Sequence, residues 1–168
     1  MRRTRGPARI GVISDTHGLL RPEAVRALRG SSLIVHAGDI GTPDVLSALR
    51  EIAPVVAVRG NNDRGAWART LEAHRTLDVA GVRLHVTHDL GELVIDPAAD
   101  GVDVVVAGHS HRPSSERRGG VLFLNPGSAG PRRFSLPITV ARLSISAGRL
   151  RARIVPLLVA VPRPTSPG

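Results

Sequence analysis

The sequence predicts an α/β fold whose second half is rich in β-strands. In the first half, short runs of β-branched residues alternate with segments that carry helical spacing of apolar residues. In the second half, apolar runs follow one another with only turn residues between them. The chain has 168 residues, which fits one domain with a hydrophobic core of its own.

The first half contains three predicted strands separated by two predicted helices. Strands are expected over 9–14, 32–38 and 54–60, where the continuous apolar runs are typical of strands buried on both faces. Helices are expected over 21–30 and 42–52. Each begins with proline in its first turn, where the missing N–H group costs no hydrogen bond.

The second half begins with a predicted hairpin over 76–88, in which a glycine separates two alternating apolar runs. Further strands are expected over 103–108, 121–127, 137–146 and 149–157. We therefore expect one domain over 9–158. It is preceded by a basic arm (1–8) and followed by a proline-rich tail (159–168) that buries little and is expected to fray.

The composition restricts the class of protein and the class of metal site. No cysteine is present, which excludes disulfides and thiolate ligands and leaves imidazole, carboxylate and amide groups. No apolar run approaches the ~18 residues of a membrane span, and the N-terminal segment lacks the pattern of a signal peptide. We expect a cytoplasmic protein without a membrane partner.

The net charge of +9 favours an anionic partner, and every basic residue is arginine. The arginines are scattered along the sequence, and a biased composition explains much of their number. Only 2% of the residues are aromatic, which leaves little surface for stacking on bases. Nucleic acid is therefore not the expected partner.

Metal-ligating residue types follow five of the predicted strands directly. Because the carboxyl ends of parallel strands gather at one edge of a sheet, these side chains are expected to lie close together. In extended chain, residues separated by one position point to the same side, which brings each D-x-H or H-x-H pair towards a common centre. The seven residues are Asp15, His17, Asp39, Asn61, His88, His109 and His111.

Seven oxygen and nitrogen ligands exceed one tetrahedral site and suit two metal ions that share a ligand. Asp39 is the natural bridge, since each carboxylate oxygen can bind one cation. A single aspartate after a strand is more often a turn or cap residue, and a single histidine is usually a loop residue. The coincidence at five strand ends favours a metal centre that attracts an anionic phosphorus substrate.

Other polar residues in the sequence have simpler interpretations. His74 is expected to be solvated, His85 to pack within its sheet, and His36 to support the centre through a hydrogen bond. The turn formed by Asn125, Gly127 and Ser128 either holds the histidine loop or merely ends a strand. Arginines beside the ligands are candidates to grip phosphate, namely Arg59, Arg64 and Arg112.

The order D-x-H, GD, GN, H and GHxH, with NPGS after it, resembles the calcineurin-like metallophosphoesterases over residues 9–145. Their small bacterial and archaeal phosphodiesterase branch is the most similar. The resemblance implies an α/β, four-layer αββα sandwich of two mixed β-sheets flanked by helices. It also implies two divalent metal ions, commonly manganese, with iron, zinc or nickel in some members.

Residue by residue, the resemblance assigns one metal to Asp15, His17, Asp39 and His111. It assigns the other metal to Asp39, Asn61, His88 and His109, and it implies catalytic roles for Asp15, Asp39, Asn61 and His88. The implied mechanism is attack on a small phosphodiester or nucleotide by a hydroxide that bridges the two metals.

The sequence departs from the family pattern at two positions. Many members place a histidine after the GN asparagine to protonate the leaving group, whereas this chain has Asn62 followed by Asp63. An asparagine is no general acid, so substrates with good leaving groups are expected to turn over best. Asp89 also stands after His88, where it either repels phosphate or hydrogen-bonds a ligand.

Two other functions remain open at this point. A protein-assembly scaffold is one, because the retromer-type branch resembles this family in fold. A phosphodiesterase that processes nucleic acid is the other. The presence of all seven ligand types favours a metal-dependent phosphodiesterase over the scaffold.

Overall fold

The computed structural model describes residues 6–159, which contain ten strands and three helices. The strands are β1 (Ala8–Ile13), β2 (Leu33–His36), β3 (Val55–Ala57), β4 (His74–Val79), β5 (Val82–Thr87), β6 (Val104–Val106), β7 (Ser114–Arg118), β8 (Val121–Asn125), β9 (Thr139–Ser146) and β10 (Arg149–Pro156). The helices are α1 (Pro22–Leu28), α2 (Pro43–Arg50) and the single turn α3 (Ala66–Arg69), and a 3-10 turn spans Leu90–Glu92.

The first sheet has the strand order β10-β9-β1-β2-β3. Strands β1, β2 and β3 are parallel, while β9 and β10 add to them in antiparallel fashion. The crossovers between the parallel strands run through α1 and α2, as the sequence predicts, and each helix has proline in its first turn. This arrangement places the carboxyl ends of β1, β2 and β3 side by side.

The second sheet has the order β4-β5-β6-β8-β7, with parallel β5, β6 and β8 in the middle and antiparallel edges. The predicted hairpin is present as β4 and β5. Its two turn residues, Ala80 and Gly81, both have positive φ, which is the geometry of a tight type I′ turn. Strand β7 was not predicted, because all five of its residues are exposed and it forms only by pairing with the edge of β8.

The main core lies between the two sheets and is lined by alternate residues of both. A second cluster fills the space between the first sheet and its helices. The predicted α/β class and the pair of mixed sheets are confirmed. Outside the second sheet, a small cluster is covered by the irregular segment around Leu93 and Ile95.

The ends of the predicted domain agree only in part with the described residues. Strand β1 begins at Ala8, inside the segment predicted as an arm. The rest of the predicted arm, apart from residues 6 and 7, and nearly all of the predicted tail lie outside the described residues. No helix among residues 6–159 is long and apolar enough to cross a membrane.

Truncation of the two leucines of one cross-strand pair should lower the free energy of unfolding by different amounts. Leu84 is fully buried on β5, and its register partner Leu77 on β4 is only half-buried. Leu84→Ala is expected to lower the free energy of unfolding by about 2–5 kcal/mol, since it leaves a cavity between the sheets. Leu77→Ala is the matched control, expected to cost clearly less in urea unfolding at equal pH. Equal losses in the two variants would contradict this description of the core.

Candidate metal centre

The turns after β1 and β2 stay hydrogen-bonded to each other beyond the ends of the strands. The backbone N–H groups of Asp15, His17 and Gly18 donate to the carbonyl oxygens of Gly38, Asp39 and Ile40, at 3.0, 3.0 and 2.8 Å. This pairing fixes the two turns side by side. It therefore holds the carboxylates of Asp15 and Asp39 at a common edge of the sheet.

The backbone of these turns is left-handed and not extended. Asp15, His17, Asp39, His109 and His111 have φ between +46° and +69°. They make up five of the eight non-glycine residues with positive φ among residues 6–159. The expectation that extended spacing aligns the D-x-H and H-x-H pairs is therefore wrong. Backbone strain of this kind, of order 1–3 kcal/mol per residue, is found mostly at functional sites.

Five of the seven predicted ligands converge at this edge. Asp15 Oδ1 lies 3.2 Å from His111 Nε2, 3.9 Å from His17 Nε2 and 4.0 Å from His88 Nε2. Asp39 Oδ2 lies 3.4 Å from His88 Nε2 and 3.7 Å from His17 Nε2. Two groups of three result, Asp15 with His17 and His111, and Asp15 with Asp39 and His88. Within each group the ligand atoms lie no more than 4.8 Å apart.

Several polar side-chain atoms of these five residues are buried without a hydrogen-bond partner among the described residues. They are Asp15 Oδ1, His17 Nε2, His88 Nε2 and His111 Nδ1. A buried polar atom without a partner is costly, so such atoms in one cluster call for a ligand. Carboxylate oxygens and imidazole nitrogens bind divalent cations of the first transition row. The residues present therefore fit a metal centre.

The orientation of His88 supports the same interpretation. Its Nδ1 lies 2.7 Å from the carbonyl oxygen of Ala37, an acceptor only, so Nδ1 carries the proton and donates. The lone pair is then on Nε2, which faces the two carboxylates. A metal-binding histidine is commonly oriented in this way by a hydrogen bond from its other nitrogen.

Asp39 is held by donors that leave one of its oxygens facing the centre. The backbone N–H of Asn62 donates to Oδ1 at 2.9 Å, and the Asn62 side-chain amide donates to Oδ2 at 2.8 Å. Oδ2 is also the atom that faces His17 and His88. Oδ1 accepts from the backbone and is not the oxygen that lies near His17 and His88, so the binding of a different cation by each Asp39 oxygen stays a prediction.

The carboxylates are ionised at neutral pH. Burial alone would raise the pKa of Asp39, but its close contact with His88 and the two donors of Asn62 outweigh it and lower the pKa. The pKa of Asp15 is also lowered, because contacts with His111 and Ser14 outweigh its burial. Two negative charges thus lie side by side in a buried site, which favours cations there.

The pKa values of His17 and His88 shift in opposite directions in the same surroundings. Burial lowers the pKa of His17, and the two carboxylates offset only part of this change. Burial also acts to lower the pKa of His88, but the close contact with Asp39 and the charge of Asp15 outweigh it and raise the pKa.

Glycine is required where the ligand-bearing turns touch. A Cβ atom at Gly108 would lie 2.7 Å from Asp15 Oδ2 and would also collide with Ser14 Oγ. A Cβ atom at Gly60 would overlap the backbone nitrogen and Oδ1 of Asp39. The glycines of the GH and GN motifs therefore allow the turn after β6 to approach the turn after β1, and the turn after β3 to approach the turn after β2.

The two histidines of the GHSH segment lie on different sides of the cluster. His111 is buried beside Asp15 and His17, with its ring centroid 5.5 Å from that of His17. The His109 side chain is 46% exposed, and its ring stands edge-on to His88 at 5.2 Å. Asp89 Oδ2 lies 3.7 Å from His109 Nε2. Of the two roles considered for Asp89, the structure favours contact with a predicted ligand.

Asn61 is, besides His109, the other predicted ligand that lies outside the two groups. It is exposed, and no hydrogen bond ties it to another described residue. The neighbouring Asn62 takes the contact with Asp39 instead. A metal-binding role for Asn61 stays a prediction.

Two residues hold the turns in place around the cluster. Asn125 donates from Nδ2 to the Gly108 carbonyl oxygen and to Ser110 Oγ at 3.0 and 3.1 Å, so it holds the histidine loop. Asp63 accepts the N–H groups of Gly41 and Gly60 at 2.9 and 2.8 Å. The sequence reasoning missed this role of Asp63, for which an acidic residue inside the GNND segment was the available signal.

The remaining histidines lie outside the cluster. The prediction that His74 is solvated is wrong, because its ring is half-buried, stacks on His85 at 6.0 Å and contacts Thr87 Oγ1. His85 packs within the second sheet as expected and contacts Thr76 Oγ1 at 2.8 Å. Burial lowers the pKa of His85.

The arginines proposed to grip phosphate differ from one another. The Arg59 guanidinium donates to the Leu71 carbonyl oxygen at 3.4 Å, which gives it a structural contact. Arg64 and Arg112 are exposed. Arg133, which the sequence reasoning did not single out, is near enough for its charge to contribute to lowering the pKa of His17.

Comparison with known proteins identifies related sequences. The model of the calcineurin-like phosphoesterase superfamily domain matches residues 9–148. A probable metallophosphoesterase of Methanothermobacter thermautotrophicus is 38% identical over 162 residues, covering 87% of this chain and 91% of that protein. The phosphodiesterase YfcE of Escherichia coli K12 is 34% identical over 142 residues, covering 68% of this chain and 76% of that protein.

Among solved structures, Vacuolar Protein Sorting 29 from Cryptosporidium parvum superposes with a TM-score of 0.73 at 15% identity. The match covers 91% of this chain and 99% of that one. At this identity the likeness concerns the fold alone.

The environment of His36 predicts a pH-dependent stability. His36 is fully buried, accepts the Gly38 N–H on Nδ1 at 3.2 Å and contacts Thr16 Oγ1 through Nε2 at 3.0 Å. Burial lowers its pKa from 6.5 to about 4. The unfolded chain therefore takes up this proton first, and the free energy of unfolding falls as the pH drops from about 6.5 to about 4.

His36→Asn keeps an acceptor for Gly38 but does not titrate. In urea unfolding with EDTA between these pH values, we expect the wild-type stability to fall more steeply than that of the variant. The difference in slope approaches about 1.4 kcal/mol per pH unit. Parallel pH profiles would show that His36 does not carry this dependence.

Proposed function

The chain belongs to the calcineurin-like phosphoesterase superfamily, and from this premise we propose that it is a metal-dependent phosphodiesterase acting on a small phosphodiester or nucleotide. One observation carries the proposal. Buried carboxylate and imidazole atoms without hydrogen-bond partners converge at the carboxyl ends of the strands. The names of the related proteins support hydrolysis of phosphoester bonds.

The proposed centre holds two divalent cations, with manganese as the preferred metal. One cation would be held by Asp15, His17, Asp39 and His111. The other would be held by Asp39, Asn61, His88 and His109. When bound, such a pair supplies an activated water and stabilises charge on the phosphoryl oxygens.

The residues of the chain itself bind and orient the reactants. The ionised Asp15 and Asp39 fix the positive charge of the cations in a buried position, where it acts strongly on an anionic substrate. Arg133 lies near His17 and Arg112 follows His111, so both are placed to attract phosphate. A cytoplasmic location, where small phosphodiesters and nucleotides are available, belongs to the same proposal.

Asn62 limits the range of leaving groups. It occupies the position where the family resemblance implies a proton donor, and its backbone N–H and its side-chain amide each donate to Asp39. It therefore positions this carboxylate but cannot protonate a departing oxygen. The proposed substrates are esters whose leaving group departs without protonation.

The scaffold alternative receives no support from the comparisons. The likeness to Vacuolar Protein Sorting 29 is at 15% identity and concerns fold alone. A surface that only binds protein needs no buried polar atoms lacking partners or strained backbone at five ligand positions. The enzyme is therefore the better account of this site.

The proposal predicts both metal content and metal-dependent hydrolysis. The purified protein is expected to bind about two divalent ions per chain, and manganese should stimulate hydrolysis of bis(p-nitrophenyl) phosphate more than of p-nitrophenyl phosphate. Asp39→Asn and His109→Ala should each lower this activity by at least about 100-fold, because each removes a metal ligand. Elemental analysis and steady-state rates measure the two effects.

Arg75→Gln serves as the control, since Arg75 is exposed on β4 outside the cluster. It should leave both metal content and rate unchanged. Full activity in Asp39→Asn and His109→Ala would show that the centre is wrongly assigned.

The role of Asn62 predicts that a proton donor at this position changes leaving-group preference. Asn62→His should raise the rate for a phenyl ester relative to a p-nitrophenyl ester, towards the ~10²-fold contribution of a general acid. Asn62→Ala loses the same contact with Asp39 but adds no donor, so its ratio should stay at the wild-type value. The ratio of kcat/KM for the two esters is the readout. An identical ratio in all three proteins would show that leaving-group protonation does not limit the reaction.

A further inference from the structure

The net positive charge of the chain arises from its C-terminal third. Residues 1–116 contain 14 arginines and all 14 acidic residues, so their formal net charge is zero. Residues 117–168 contain nine arginines and no acidic residue, which accounts for the whole net charge of +9. Composition bias explains how many arginines there are but does not explain this separation.

The fold places much of this charge on one face of the first sheet. Arg151 on β10 and Arg9 on β1 are both paired in register with Ser144 of β9. Arg153 is paired with Arg142. Residues opposite one another in a sheet, and alternate residues along a strand, share a face. The five exposed arginines on this outer face are Arg9, Arg142, Arg149, Arg151 and Arg153.

The face continues into the end of helix α1. Arg29, at the C-terminal cap of α1, lines a groove together with Arg9, Arg142, Ser31 and Ser144. A second groove, lined by Ser144, Ser146, Arg149 and Arg151, shares Ser144 with the first. We call the six arginines of this face the arginine track: Arg9, Arg29, Arg142, Arg149, Arg151 and Arg153.

No acidic side chain neutralises the arginine track within residues 6–159. The ion pairs of arginine in that part of the chain involve Arg26, Arg83 and Arg118. Arg142 is also used within the fold, since its guanidinium donates to the Ala27 carbonyl oxygen at 2.6 and 2.9 Å. The other five guanidinium groups are available to an anionic partner.

The arrangement fits a repeating anion better than a single one. Neighbouring strands lie ~4.8 Å apart, and alternate residues of a strand lie ~6.7 Å apart, so the charges form rows across three strands. A lone phosphate is bound by donors that converge on one point, whereas rows of separated donors suit a chain of phosphates.

The residues along the track also indicate which class of polyanion it would bind. Neither groove along the track is lined by an aromatic residue. The track therefore offers no stacking surface for bases and would contact the backbone alone. None of the exposed large hydrophobic residues of the described chain lies within β1, β9 or β10. A membrane-binding surface normally adds apolar side chains to its basic ones.

We propose that the arginine track binds the phosphodiester backbone of nucleic acid without regard to base sequence. It lies on the half of β1 that begins at Arg9, whereas the candidate metal centre follows the other end of this strand at Asp15. The two sites are therefore separate, and binding at the track does not require metal. The expectation that the arginines are merely scattered is revised, because the fold gathers them from β1, α1, β9 and β10.

The test measures binding of the full chain to fluorescein-labelled single-stranded and duplex 20-mer DNA by anisotropy, in EDTA and at several salt concentrations. Log K should fall linearly with log salt. The triple variant Arg149→Gln, Arg151→Gln and Arg153→Gln should bind at least about 10-fold more weakly at low salt. Its salt slope should be shallower by about 2–3, near one unit for each lost phosphate contact.

The matched control is Arg50→Gln, Arg69→Gln and Arg75→Gln, which removes the same charge from exposed positions on other elements. It should retain most of the affinity and the wild-type slope. The double variant Arg9→Gln and Arg29→Gln tests the other end of the track and should also weaken binding. Thermal melting and hydrolysis of a small phosphodiester should be unchanged in all variants, so a failure of the proposed enzyme activity leaves this test intact.

Three results would overturn the proposal. One is the absence of DNA binding at low salt. Another is equal weakening in the track variant and the control variant, which would show an effect of net charge alone. The third is binding to phosphatidylserine vesicles, lost in the track variant, without binding to DNA, which would identify a membrane surface instead.

Discussion

The hydrogen bonds between the turns after β1 and β2 are the interaction on which the site depends. Parallel pairing of the two strands continues through Asp15, His17 and Gly18 into the facing turn. The turns therefore cannot separate, and two ionised carboxylates are held in a buried place where each alone would be costly. Imidazole groups and, in the proposed enzyme, cations compensate this charge. In these two turns Asp15, His17 and Asp39 all have left-handed backbone.

The strand ends of the second sheet complete the site by contacting this pair of turns and the loop after β6. His88 after β5 donates to the Ala37 carbonyl oxygen, and Asn125 at the end of β8 holds the loop after β6. Close approach is possible because Gly60 and Gly108 carry no Cβ atom at the points of contact. The contacts that join the two sheets at this edge are thus the same contacts that assemble the centre. A substitution in the turns should therefore disturb both the packing of the sheets and the geometry of the centre.

Much of this arrangement could be predicted from sequence, because strand ends carry a clear signal. Asp15, Asp39 and His109 are metal-binding residue types, and each directly follows an apolar run. The resemblance to a known family implies the two mixed sheets. Contacts between turns could not be predicted, since left-handed backbone is uncommon at any residue but glycine and nothing in the sequence marks which aspartates and histidines adopt it. The same holds for Asn62, whose contact with Asp39 depends on how two turns meet. The arginine track was hidden for another reason, because its members are far apart in sequence and meet only through strand register.

The central claim is that the carboxylates and imidazoles at the strand ends form one centre for two cations that share Asp39. Anomalous diffraction from crystals of the manganese-loaded protein at the manganese edge tests it most directly. The account predicts two anomalous peaks about 3.5–4 Å apart, both within bonding distance of Asp39. Asp15, His17 and His111 should lie around one peak, and Asn61, His88 and His109 around the other. A single peak, or peaks that do not contact Asp39, would contradict it.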